Sequence, residues 1–351
     1  MKRQLKTAGN LDYQKLMLAS NFIISIGIIL VTSGGSWDIT NHILNKPETF
    51  FAPPHLVLYT GVGIALFGFL VLFFSWNRSG RPQNLRGGIQ ISGIGIALLL
   101  AAGPADFVWH SNFGLDGLLS PPHLVLISGM ILSSVGALAN SAKYIVYSQK
   151  LGRLLIVVSI LPVWFSLTGL FYSFSLPFSD TDYFNFNPDP VFAASFAAAS
   201  YPFLISTILV LTALFAQNRF GVVSIVGASF LVMMTLTAII PNDSLIHTIP
   251  FYLSGMIPII LGDVIASKAI GASGLYVAGG VFGSVAFFMY YPLITYTYNE
   301  ILWHKIIWPS LTAQIYFEMV PIISPILAVI GAVAGVFGAK FAKKITRKKT
   351  T

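Results

Sequence analysis

The chain has 351 residues, 55% of them hydrophobic and 9% charged, with no cysteine, a formal net charge of +8 and a mean hydropathy of +0.79. So few charges cannot cover a soluble domain, whereas a protein of the bilayer needs almost none. The lack of cysteine excludes thiolate metal sites, iron–sulfur clusters and disulfides, and the basic balance is placed in a way that points to lipid rather than nucleic acid.

In chain order, a basic, polar stretch over 1–15 precedes apolar runs at about 16–36, 53–76, 88–109, 121–142, 154–176, 190–216, 220–241, 248–267, 272–297 and 309–339. Each approaches the ~20 residues that cross a ~30 Å hydrocarbon core as a helix. The expected fold is therefore all-α: a polytopic integral membrane helical bundle of about ten spans, forming a single membrane domain. The first run reads as a retained span, because Asp38 and His42 close it and cleavage there would destroy the motif they belong to.

Starting with the N-terminus in the cytoplasm, the inner segments collect nearly all of the lysine and arginine, including the tail at Lys340, Lys343, Lys344, Arg347, Lys348 and Lys349. Only Lys46 and Lys305 fall outside. This positive-inside pattern places both termini in the cytoplasm of a plasma-membrane protein. The basic tail reads as an anchor to anionic lipid and not as a nucleic-acid patch. Most acids, and all six histidines, fall at the outer ends of spans. Folding does not require every imidazole to gather on one face, so the asymmetry points to function.

The sharpest signal lies in the first two hairpins. Asp38, His42 and His55 form Asp-x3-His-x12-His, and Asp106, His110 and His123 repeat it 68 residues on. In each copy the last histidine follows Pro-Pro, at Pro53–Pro54 and Pro121–Pro122, and Glu48 and Asp116 fall into the same register. An acid at i and a histidine at i+4 share one helical face. Pro-Pro opens the next helix at positions where amide protons have no intrahelical acceptor to lose. Each hairpin can then present one carboxylate and two imidazoles at one depth. The positive end of the second helix disfavours the imidazolium of His55 and His123, which keeps a nitrogen lone pair available. Two histidines and a carboxylate suit copper, with iron or zinc as alternatives. Glu48 and Asp116 are candidates to orient an imidazole from behind, with Asn41 and Asn112 as weaker ones. The plain alternative is that these groups cap helix ends and face water. Duplication at one spacing weighs against it.

The second half echoes the first less closely, in Asp243-x3-His247 and Glu300-x3-His304, with Glu318 near the register of a third ligand. These residues are weaker candidates. The layout suggests two five-span halves, 1–176 and 190–351, each with two outer hairpins. Gly279-x3-Gly283 and Gly331-x3-Gly335 read as close helix packing, within the chain or between subunits. The outer stretch 178–192 could lid the site or simply connect two helices. Asp263 is expected to pair with Lys268.

Asp-x3-His-x12-His on membrane helices resembles the metal motif of the C subunit of copper membrane monooxygenases, the particulate methane and ammonia enzymes. By position, Asp38, His42 and His55 match one set and Asp106, His110 and His123 a second. The resemblance implies copper, oxygen-dependent hydroxylation of a small molecule, and partner membrane subunits. That subunit has fewer helices and one such motif, and the soluble copper domains of its partner have no counterpart here. Three functions stay open: a metal-dependent oxidoreductase or subunit of one, a metal transporter or chaperone, and a non-enzymatic membrane subunit. Few polar groups are expected below the outer band, which counts against transport.

Overall fold

The computed structural model describes residues 12–43, 46, 49–114, 116–144, 149–175, 181–241, 243, 246, 249–269, 271–284 and 323–347. Among these residues the elements are helices: α1 (Tyr13–Ile43), α2 (Pro53–Arg78), α3 (Gln83–Phe113), α4 (Pro121–Tyr144), α5 (Gln149–Ser175), α6 (Pro190–Phe215), α7 (Val222–Ile239), α8 (Ile249–Ser254), α9 (Met256–Ser267), α10 (Gly271–Ser284) and α11 (Ile323–Arg347). Eight of them are long and apolar enough to cross a membrane. The chain is an all-α polytopic bundle, as its composition predicts.

Three boundaries differ from expectation for physical reasons. α1 and α3 run on past the apolar runs, through Ile43 and Phe113, so Asp38 and His42, and Asp106 and His110, share helical faces as the i, i+4 spacing predicts. The run at 248–267 is split into α8 and α9 around Gly255. The last helix reaches Arg347, so Lys340, Lys343 and Lys344 belong to its final turns rather than to a separate tail. There Lys340 and Lys343 lie over the Tyr276 ring, at 5.9 and 5.6 Å, which anchors α11 to α10.

α1 pairs with α2, and α3 with α4, as tight antiparallel hairpins. Glycine is what permits this approach. A Cβ on Gly27 would collide with the backbone of Gly61 and Ala65, and one on Gly95 with the backbone of Gly129 and Ser133. These residues are offset by the same 68 positions as the Asp-His-His motif, so the duplication extends through the packing of the whole hairpin. The hairpins also touch in a reciprocal manner, α1 against α4 and α2 against α3. Contacts of this kind arise when two copies of a unit face one another across an approximate two-fold axis; a simple row of repeats would leave α1 and α4 apart.

α5 packs on α1, α4 and α6, and α7 joins α1 and α5, so a second group of helices buttresses one side of the four-helix unit. Trp164 of α5 stacks on Phe230 of α7 at 3.8 Å within the largest buried apolar cluster. α11 lies against α6 and α10. The Gly279-x3-Gly283 and Gly331-x3-Gly335 pairs meet each other there, with Gly283 against Gly331 and Gly279 against Gly335. This packing is within the chain. Asp263 does not serve Lys268: its carboxylate accepts from the Gly221 and Ser224 amides at 2.9 and 3.0 Å and caps α7.

Gly27→Ala and Gly95→Ala should each destabilise the protein by about 1–3 kcal/mol through overpacking, while Gly63→Ala, which meets open space, should stay within about 0.5 kcal/mol. Unfolding in detergent micelles measures this; equal stability of all three variants would remove glycine contact as the basis of the hairpin.

Candidate metal centre

α1 and α3 deliver their acid and first histidine in their last turns, and α2 and α4 deliver their histidine in the first. Pro53 and Pro121 are the first residues of α2 and α4, so His55 and His123 lie at the third helical position, as the Pro-Pro pairs predict. All six side chains therefore meet at one end of the bundle. They are not a solvated rim: the histidine side chains are 5–9% exposed and the carboxylates 13–17%.

In the first group Asp38 Oδ1 stands 3.2 Å from His55 Nε2, and Asp38 Oδ2 stands 3.4 Å from His42 Nε2. In the second, Asp106 Oδ1 is 3.5 Å from His110 Nε2 and 3.4 Å from His123 Nε2, and the two Nε2 atoms are 3.4 Å apart. The second group is thus a nearly equilateral triangle of donors. A tetrahedral ion with bonds of ~2.0–2.1 Å has ligand–ligand edges of about 3.3 Å, which these separations match.

The tautomers follow from the partners behind the rings. His55 Nδ1 donates to the Thr49 carbonyl at 2.9 Å, and His123 Nδ1 to the Gly117 carbonyl at 2.9 Å. Thr49 and Gly117 are themselves 68 residues apart, so the supporting carbonyl is duplicated with its histidine. His110 Nδ1 donates to the Gly114 carbonyl at 2.8 Å. A carbonyl can only accept, so each of these Nδ1 atoms carries the proton. In a neutral ring Nε2 is then a lone pair. Gly114 and Gly117 have φ of +65° and +98°, a left-handed backbone that turns their carbonyls back toward the rings.

Of the carboxylates expected to orient an imidazole, Asp116 is fully buried and accepts a hydrogen bond from Trp109 Nε1. Its burial raises the carboxyl above the ordinary range, opposed by nearby His123 and by the Trp109 bond. Asn112 is exposed and donates to the Val108 carbonyl of its own helix, so it is not a partner of the site. Backbone carbonyls hold the rings because the helix ends leave them unused. Glu48, His247, Glu300, His304 and Glu318 lie outside the described residues, and Asp243 is exposed and belongs to neither group.

Of the two readings of the outer stretch, a lid or a plain connection, the structure favours the first, and it adds a cavity that had no sequence signature. The stretch 181–189 folds onto the loop of the second hairpin: Phe186 N donates to the Asp116 carbonyl at 2.7 Å, and Phe184 packs on Trp109 and Phe113. Part of the outer stretch thus covers the second group. Beside the ligands is a cavity of about 60 Å³, to which α1, α4, α5 and α7 contribute. Thr32, Ser36, Thr168 and Tyr172 are its hydroxyl groups, and Gly169 leaves it open, since a Cβ there would meet nothing. It has room for a few atoms.

Fold and site together define a polytopic helical membrane protein with two buried Asp-His-His groups that could each hold a metal ion. No protein-family model, no curated protein and no solved structure matches the chain.

One difference between the two groups bears directly on a ring nitrogen. Ser120 Oγ lies 2.9 Å from His123 Nδ1, where the first copy has Ala52. Ser120→Ala should weaken metal binding at the second group roughly tenfold and leave the first unchanged. Competition against a chelator of known affinity resolves the two; an identical titration curve would show that Ser120 does not support the ligand.

Proposed function

We propose that this chain is a copper-binding membrane protein whose Asp-His-His groups support redox chemistry on a small molecule, either as an oxidoreductase or as the membrane subunit of one. The observation that supports it most is the second triangle, where Asp106 Oδ1, His110 Nε2 and His123 Nε2 converge within 3.5 Å of one another. With the Nδ1 protons facing backbone carbonyls, three lone-pair atoms face a common point. They repel unless a cation lies between them.

Asp38, His42 and His55 would hold one ion, and Asp106, His110 and His123 another. Bound copper would supply one-electron chemistry and an open coordination position. The chain's own residues hold the imidazoles in the ligating tautomer through Thr49, Gly114 and Gly117, and cover the second group with Phe184 and Phe186. They also leave a small, mainly apolar space beside Asp38, His42 and His123. Imidazole-rich sites favour copper in affinity, while iron suits two histidines and a carboxylate, and zinc a tetrahedron. The positive-inside distribution supports a centre at the outer face of the plasma membrane, with both termini in the cytoplasm.

The full-length protein, purified without chelator, should carry copper in excess of zinc and iron. In the double variant Asp38→Asn, Asp106→Asn, which keeps side-chain volume, that copper should fall to background. Elemental analysis decides it, and a double variant with undiminished metal would sink the assignment of these ligands.

A second reading, transport of the metal, gains support from a feature the sequence did not disclose. Buried hydroxyls descend through the bundle from the cavity: Ser134 and Ser166 are 3.5 Å apart, and Ser159 bonds both Ser25 and Ser141, at 2.9 and 2.8 Å. The polar content below the outer band is therefore greater than expected. Transport predicts that copper outside proteoliposomes accumulates within them above the protein-free level, and that Ser159→Ala slows it severalfold. Metal-loaded protein that moves none of it would exclude this reading.

A further inference from the structure

We propose that the two Asp-His-His groups are one dinuclear centre, built across the contact between the two hairpins, and not two independent metal sites. This inference rests on the metal-binding reading of the same residues.

The distances between groups are almost those within a group. His110 and His123, ligands of one triangle, have ring centroids 5.3 Å apart. His42, from the other triad, lies 5.6 Å from His110 and 6.2 Å from His123. No side chain layer separates the triads. His42 and His110 are also the same position of the two repeats, so the approximate two-fold axis passes between them and the triads face each other across it. With each ion about 2 Å beyond its Nε2 atoms, these ring separations hold the two ions no more than about 10 Å apart.

Two further observations agree. Asp38, His42 and His123 line one cavity, so both groups open onto the same space. Asp38 and Asp106 also flank the facing pair His42 and His110, each beside its own imidazole. Two carboxylates and four imidazoles in one largely buried volume carry two negative charges when the imidazoles are neutral. A pair of divalent ions offsets that charge, and each ion is left with three protein ligands and a position facing its neighbour or the cavity. The reciprocal contacts α1–α4 and α2–α3 supply the geometry, and duplication of the hairpin supplies the second half of the ligand set.

The test uses full-length protein loaded with Cu(II) alone, read by elemental analysis and electron paramagnetic resonance. Wild type should bind two ions per chain, with a spectrum broadened by dipolar coupling and a half-field transition. Asp38→Asn and Asp106→Asn should each retain one ion and give a sharp mononuclear spectrum. His55→Gln and His123→Gln form a second pair of variants that leaves both carboxylates in place, and gel filtration establishes that each variant is folded. Two ions whose spectrum equals the sum of the single-variant spectra would overturn the dinuclear centre and leave metal binding intact. One ion per wild-type chain would also overturn it. Folded wild-type protein that takes up no copper would instead overturn the metal reading and this inference together.

Discussion

The structure depends on one electrostatic constraint: carboxylate oxygens and imidazole lone pairs are brought together in a largely buried cluster. Asp38 and Asp106 are less than one-fifth exposed, and their nearest charged or polar neighbours are histidines. Burying a carboxylate costs several kcal/mol unless a cation or a set of donors answers it. Three of the imidazoles cannot donate from Nε2 while neutral, because their protons are committed to backbone carbonyls on the other side. A proton on the ring or a metal ion between the groups relieves the arrangement, and the triangular spacing is close to a tetrahedral edge.

The surrounding fold can be understood as what keeps that constraint from relaxing. Helices joined through larger side chains are 8–10 Å apart, and rings at their ends could then swing away from one another. Gly27 against Gly61, and Gly95 against Gly129, bring the backbones into direct contact and fix the register of each hairpin. Pro-Pro then sets where α2 and α4 begin, so the third residue of each must reach back toward the acid of the preceding helix. The buttress of α5 and α7 adds a rigid wall but leaves a gap at Gly169, where a side chain of ordinary size would have filled the cavity.

Much of this was legible in the sequence because side chains carried it. The two Asp-His-His sets, the Pro-Pro starts and the paired glycines of α10 and α11 stand in the chain as residue types at fixed spacing. What escaped was carried by backbone or by distant contact. The carbonyls of Thr49 and Gly117 leave no trace in composition, although their shared offset of 68 residues could have drawn attention to them. Register drew attention to Asp116 but gave no sign of the Trp109 indole that donates to it. Asp263 likewise took two amides and a hydroxyl at a helix start in preference to a flexible lysine. Thr168 and Tyr172 come from α5, which has no repeat partner in the motif, so no spacing connected them to the cavity.

Duplication has kept the six ligands and let their surroundings diverge. The second group alone has Ser120 beside a ligand, a buried Asp116 held by Trp109, and the aromatic cover of Phe184 and Phe186. At the corresponding positions the first hairpin has Ala52, Glu48 and Asn41. Ligands set which ions can bind, whereas the groups behind them set basicity, solvent access and potential. Two groups with one residue set and two environments therefore differ in how their imidazoles are supported and covered.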